Sequence, residues 1–135
     1  MAKTVGESFE QTISIASKKL TQVKVSQEID STLAILTIEG VYQSYRVVMK
    51  ETISSAGRRY AYYLLSGNRV MLGLDNHADR KALRLKYGDE FTTHLSELIP
   101  HRHDADKIAV TLTSVWTGEQ FLEALESLIV ELGSE

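Results

Sequence analysis

The sequence predicts an α+β fold: an antiparallel β-meander sheet of about four to six strands, flanked by N-terminal and C-terminal helices. Three observations predict it. Apolar residues recur at helical spacing at the two ends of the chain and at strand spacing between them. The strand-like runs are separated by turns too short to hold crossover helices, so neighbouring strands must be antiparallel. At 135 residues the chain makes one domain, residues 1–135. A chain of that length buries roughly two-thirds of its unfolded surface and needs no metal or disulfide merely to fold.

The elements follow in order. "TVGESFEQTISIASKKL" places Val5, Phe9, Ile13, Ala16 and Leu20 on one helical stripe. Thr4 with Glu7, or Ser8 with Gln11, offers a capping box, and Lys18 and Lys19 suit the helix C-terminus. "VKVSQEI" is a short strand, and "STLAILTIE" (31–39) is apolar on both faces, as in a central strand. "YQSYRVVMKET" (42–52), "RRYAYYLLS" (58–66) and "RVMLGLDN" (69–76) continue the meander. Gly67-Asn68 reads as a two-residue hairpin turn, and Ser54 to Gly57 as a looser one. After Asn76 the regularity fades: residues 77–98 hold one short helix anchored by Ala82, Leu83 and Leu85, and "KIAVTLTSVW" (107–116) is a further strand. "TGEQFLEALESLIVEL" closes the chain as an amphipathic helix, with Thr117 and Gln120 as its capping box and Gly133 as its stop.

Composition excludes several chemistries. With no cysteine there is no disulfide, no zinc-thiolate centre and no cysteine nucleophile. No apolar run reaches the ~20 residues of a membrane span, and the start lacks the basic-then-apolar pattern of a signal peptide. A cytoplasmic protein with no membrane partner is expected. Glycine-rich phosphate loops, dinucleotide fingerprints and nucleophile elbows are absent. The net charge of −3 is unevenly spread: residues 42–88 carry nine Lys/Arg against three acids, and residues 89–135 carry two against ten. The middle is a candidate anion-facing surface, or a solvated sheet that pairs with the acidic C-terminal helix.

All four histidines, His77, His94, His101 and His103, fall within 27 residues. Three of them sit beside acids, in Asp75-Asn76-His77 and in "IPHRHDADK" (99–107). Histidine moves protons near neutral pH, and metal-free RNA cleavage needs a base, an acid and a cation for the developing charge. His77, His101 and His103 are the acid/base candidates and Asp75 the residue that orients one of them. Arg80, Lys86 and Arg102 are the candidate phosphate contacts, with Asn76 and Asp104 beside them. On an extended segment His101 and His103 point the same way and could chelate one ion, with Asp75, His77 or Asp104 as third ligand. That spacing is no recognised zinc signature, so no metal and no cofactor is assigned. Tyr42, Tyr45, Tyr60, Tyr62 and Tyr63, interleaved with arginines, could stack bases, but cross-strand packing is the commoner role. The plainest alternative is that the histidines and aspartates are turn formers in a polar loop.

The ordered series "YRVVMKE", "RRYAYYLL", "NRVMLGLDNH", "IPHRHD" and a terminal amphipathic helix, from about residue 42 to 130, resembles the TumE-like toxin family. That family has a Tyr-rich strand, a strand ending in Asp-Asn with histidine soon after, a Pro-His-His-Lys-His-like segment and a C-terminal helix. Asp75, Asn76 and His77 match the first motif, and Pro100, His101, Arg102 and His103 the second. The family's Asp-Asn usually precedes a Pro-His-His run, where this chain reads "HADR", and 22 residues lie between His77 and Pro100. The resemblance implies a growth-inhibiting toxin neutralised by a cognate antitoxin; RNA is the target by analogy with other small toxins. Two alternatives stand beside it: a non-catalytic interaction module that pairs with a partner or forms a homodimer, and a small metal-binding protein.

Overall fold

The computed structural model describes residues 3–107 and 109–133. Helix α1 (Val5–Lys19) leads into strands β1 (Thr21–Ile29), β2 (Ala34–Tyr42), β3 (Tyr45–Ser54), β4 (Gly57–Ser66) and β5 (Arg69–Asp75). Helix α2 (Arg80–Tyr87) and a 3-10 turn (Gly88–His94) follow, then β6 (His101–His103), β7 (Val110–Leu112) and α3 (Gly118–Gly133). The strands form one antiparallel sheet in chain order, β1 to β7. The α+β meander between two helices is therefore as expected, with seven strands instead of four to six. The extra strand is β6, too short to show a period-2 pattern. The strand expected over 107–116 is real only at Val110–Leu112, and Ile108 lies outside the described residues.

Local signals set the boundaries. The Thr4 hydroxyl accepts the Glu7 N–H and caps α1. At α3 the exchange is reciprocal: Gln120 N–H donates to Thr117 Oγ1, and Thr117 N–H donates to Gln120 Oε1. Gly67, at φ +60°, makes the tight turn that pairs Ser66 with Arg69.

Alternation along the strands defines two faces. Leu36, Ile38, Val47, Met49, Tyr60, Tyr62, Leu64, Leu72 and Leu74 point one way and pack with Phe9 and Ala16 of α1 and Phe121, Leu122, Leu125 and Leu128 of α3. Tyr60, Tyr62 and Phe121 stack in series, with centroids 5.1 and 5.3 Å apart. The core tyrosines thus take the packing role. Into this face Arg58 brings its guanidinium, 2.6 Å from the buried Glu51 carboxylate. It also donates to the Trp116 carbonyl and stacks over Tyr60. Burial and the Glu51 charge push the Tyr62 hydroxyl far above its usual titration range.

A second, smaller cluster covers part of the other face: Ala82, Leu83, Phe91 and Ile99, with Tyr87 and Val110 packed against it. Residues 80–99 thus fold back beside β6 and β7. Among the described residues no helix is long and apolar enough to cross a membrane.

Candidate functional site: a buried aspartate–histidine cluster

Two rungs of the sheet build the site. One runs Lys50, Ala61, Asp75, His101, Leu112; the next runs Val48, Tyr63, Gly73, His103, Val110. Residues opposite one another on neighbouring strands share a face. Asp75 and Gly73 alternate with the inward Leu72 and Leu74, so both rungs face away from α1 and α3. The fold thereby brings Asp75 beside two histidines that follow it by 26 and 28 residues.

The cluster is tight and buried. His101 is 1% exposed, Asp75 3% and His103 7%. His101 Nε2 lies 3.2 Å from Asp75 Oδ1, and His103 Nε2 lies 3.1 Å from Asp75 Oδ2. The two Nε2 atoms are 3.1 Å apart, with the rings edge to face. His101 Nδ1 lies 2.5 Å from the Ile99 carbonyl. A carbonyl can only accept, so that nitrogen carries a proton and Nε2 of the neutral ring is a bare lone pair. His103 Nδ1 is buried without a hydrogen-bond partner. The Tyr63 hydroxyl donates to Asp75 Oδ2 at 3.2 Å, and the His77 backbone N–H donates to Oδ1 at 3.0 Å.

Burial works to raise the Asp75 pKa. The hydrogen bond from His103, the charges of the histidines and the His77 N–H outweigh it, so the carboxyl stays ionised below its usual range. Burial and the Asp75 charge together drive the Tyr63 hydroxyl upward, which keeps it a proton donor. His77 is the exposed member. Desolvation, with Arg59, His101 and Lys50 against the pull of Asp75, lowers its pKa and favours the neutral ring at pH 7.

Asn76 acts as a bracket. Its side chain accepts the Tyr60 N–H at 2.9 Å and donates to the Arg58 carbonyl at 2.8 Å, replacing a strand rung at the end of β4. Its own carbonyl accepts the Ile99 N–H at 2.9 Å and aligns the entry to β6.

The remaining expected site residues lie elsewhere. Arg80 is exposed on α2 with its guanidinium over Phe91. Lys86 pairs with Glu97 at 3.3 Å. Arg102 shares its rung with Leu74, so it points to the helix side, where it meets Asp104 at 3.1 Å and Glu131 of α3 at 2.9 Å. His94 stacks on Tyr87 and is no part of the cluster. The structure thus unites Asp75, His101 and His103, keeps His77 alongside, and leaves Arg80, Lys86, Arg102 and Asp104 in separate contacts. Tyr63 belongs to the site, although its sequence context marks it only as a packing tyrosine. Lys50 and Arg59, exposed on the same sheet face, are the cations that act on His77.

Asp75, His101 and His103 each offer one possible ligand atom, and these atoms lie within 4.8 Å of one another. They could hold one cation. No protein-family model, no curated protein and no solved structure matches the chain.

Proposed function

We propose that this chain is an RNA-cleaving toxin of the TumE-like kind, held inactive by a cognate antitoxin. The observation that carries the reading is the exposed His77, tethered through its backbone N–H to the ionised Asp75 and within the electrostatic reach of Lys50 and Arg59 on the same sheet face. A neutral imidazole within the reach of two cations suits phosphodiester transesterification. His77 takes the proton of a ribose 2′-hydroxyl, and the oxygen attacks phosphorus. The bond to the 5′-oxygen breaks, and the imidazolium returns the proton to that leaving group. Lys50 and Arg59 are placed to offset the charge that develops on the phosphoryl oxygens. His101 and His103 are too deeply buried to touch an RNA strand. In this reading they fix the Asp75 carboxylate behind His77.

The test is incubation of purified protein with a defined RNA, scoring fragments that end in 2′,3′-cyclic phosphate. His77→Ala should slow cleavage by about a hundredfold or more, and the same substitution should relieve growth arrest on induced expression. Intact RNA with the wild-type protein would remove the catalytic assignment.

A second reading, a non-catalytic interaction module, draws on the sheet's outer strand. Nearly every residue of β1 is exposed, including Val25 and Ile29, and an open edge of this length accepts a partner strand or a second copy. Light scattering at high concentration tests it: a strict monomer that co-purifies with nothing speaks against it.

A further inference from the structure

The Asp75, His101 and His103 contacts do not close as hydrogen bonds alone. His101 Nδ1 is committed as donor to Ile99, so in the neutral ring Nε2 faces Asp75 Oδ1, lone pair against lone pair, at 3.2 Å. The single proton on His103 Nε2 can serve Asp75 or His101, both at 3.1 Å. With both rings neutral the triangle keeps one contact of lone pair against lone pair, and a positive charge at its centre, a second proton or a metal cation, relieves it.

The geometry is that of a metal face. Two donors, each ~2.1 Å from one ion, lie about 3.0 Å apart at a right angle and about 3.4 Å apart at a tetrahedral angle. The two Nε2 atoms, 3.1 Å apart, fall between those limits, and so does each histidine's separation from its own Asp75 oxygen, 3.2 Å from His101 to Oδ1 and 3.1 Å from His103 to Oδ2, so the carboxylate offers one oxygen toward each ring. The outer contacts fit at His101 and Asp75, while His103 Nδ1 has no partner. A ligating histidine normally donates its other ring N–H to a carbonyl or carboxylate, as His101 does to Ile99. A ligating carboxylate is normally itself hydrogen-bonded, as Asp75 is by Tyr63 and the His77 N–H.

We infer that Asp75, His101 and His103 form a two-histidine, one-carboxylate site for a first-row divalent transition metal. Imidazole and carboxylate donors without sulfur select Zn2+, Fe2+, Mn2+ or Co2+ over soft ions, and two neutral nitrogens disfavour Ca2+ and Mg2+, which take oxygen ligands. Two imidazole nitrogens and a carboxylate leave part of the ion's coordination shell to be filled by something other than these three residues. The inference goes beyond the RNA-cleaving reading and stands apart from it: the site can bind metal whether or not the chain cleaves RNA.

The experiment uses the untagged full chain, stripped with chelator and titrated with Co2+, followed by visible absorption and by calorimetry. One Co2+ per chain is expected, displaced by Zn2+. Asp75→Asn and His103→Ala should abolish the signal, while His94→Ala, outside the cluster, retains it. Tyr63→Phe should weaken binding by about tenfold. Circular dichroism of each metal-free variant separates lost binding from lost folding. Where a ligand variant unfolds, the proton spectrum of the wild-type Co2+ form decides, since it must show shifted resonances from two imidazoles. No binding by the folded wild-type chain, binding retained in the folded Asp75→Asn and His103→Ala variants, or no shifted imidazole resonances would overturn the assignment. RNA cleavage that persists in stripped protein would leave the metal site intact as a finding and separate it from the catalytic reading.

Discussion

The Tyr63 hydroxyl reaches Asp75 Oδ2 at 3.2 Å by lying across Gly73, where a Cβ would fall 2.3 Å from Tyr63 Cε1. A side chain at 73 and the tyrosine ring cannot share that space. Gly73→Ala should push the ring off its rung and cost about 1–3 kcal/mol by overpacking. Tyr63→Phe keeps the ring and removes only the donor, for about 1 kcal/mol. Urea unfolding of the two variants should rank them in that order; equal losses would mean that the ring has room to move.

Asn76 is expected to matter for the fold itself. Asn76→Ala leaves the Tyr60 N–H and the Arg58 carbonyl without their side-chain partners. A loss of about 2 kcal/mol should follow from the two unmet groups. Hydrogen exchange should show the Tyr60 amide losing protection first. An unchanged melting temperature would mean that water replaces the bracket.

On the helix face, Arg58→Ala removes the cation from the buried Glu51 carboxylate and leaves it the Tyr62 hydroxyl as donor. Breaking one side of such a pair costs about 3–5 kcal/mol. The double variant Arg58→Met/Glu51→Leu should recover much of the loss, because it removes both charges. A double variant no better than the single would show that the arginine acts through packing on Tyr60 instead.

Acid should loosen the α2 region. Glu97 accepts from the Tyr87 hydroxyl at 2.6 Å and from Lys86 at 3.3 Å, and lies 3.3 Å from His94. The Tyr87 bond first, joined by Lys86 and His94 against the opposing desolvation, holds its carboxyl below the usual 4.5. A depressed carboxylate stabilises the fold above its unfolded pKa, and that contribution is lost as pH falls through the folded value. Exchange protection over residues 80–99 should therefore decline below the unfolded pKa while β2 to β4 stay protected. Uniform loss across the chain would refute a local clamp.

The architecture was largely legible because its signals are local. The two capping motifs, the Gly67-Asn68 turn and the change from period 3.6 to period 2 each lie within a few residues, and each is realised. The site was legible only in part. Its histidines announce themselves by clustering, yet their common neighbour depends on register. Counting back from the Gly67-Asn68 hairpin would set Tyr63 opposite Leu72 and Asp75 opposite Tyr60. A one-residue bulge between Leu64 and Leu65 shifts the pairing to Tyr63 with Gly73 and Asp75 with Ala61. That slip decides which face Asp75 occupies, and no local signal in the sequence marks it. Arg102 was misleading for a related reason: standing between two site histidines on a strand, it must point to the other face.

Because the sheet runs β1 to β7 in chain order, each strand after the first pairs with one that is synthesised before it. A ribosome releases five hairpin-linked strands, with Asp75 in place at the end of the fifth, before His101 and His103 have been made. β6 cannot pair until residues 76–100 have been made and folded back, and the core closes only when α3 supplies Phe121, Leu122, Leu125 and Leu128. Until residues 101–103 arrive, β5 has no neighbour on that edge and Asp75 lacks both of its histidines.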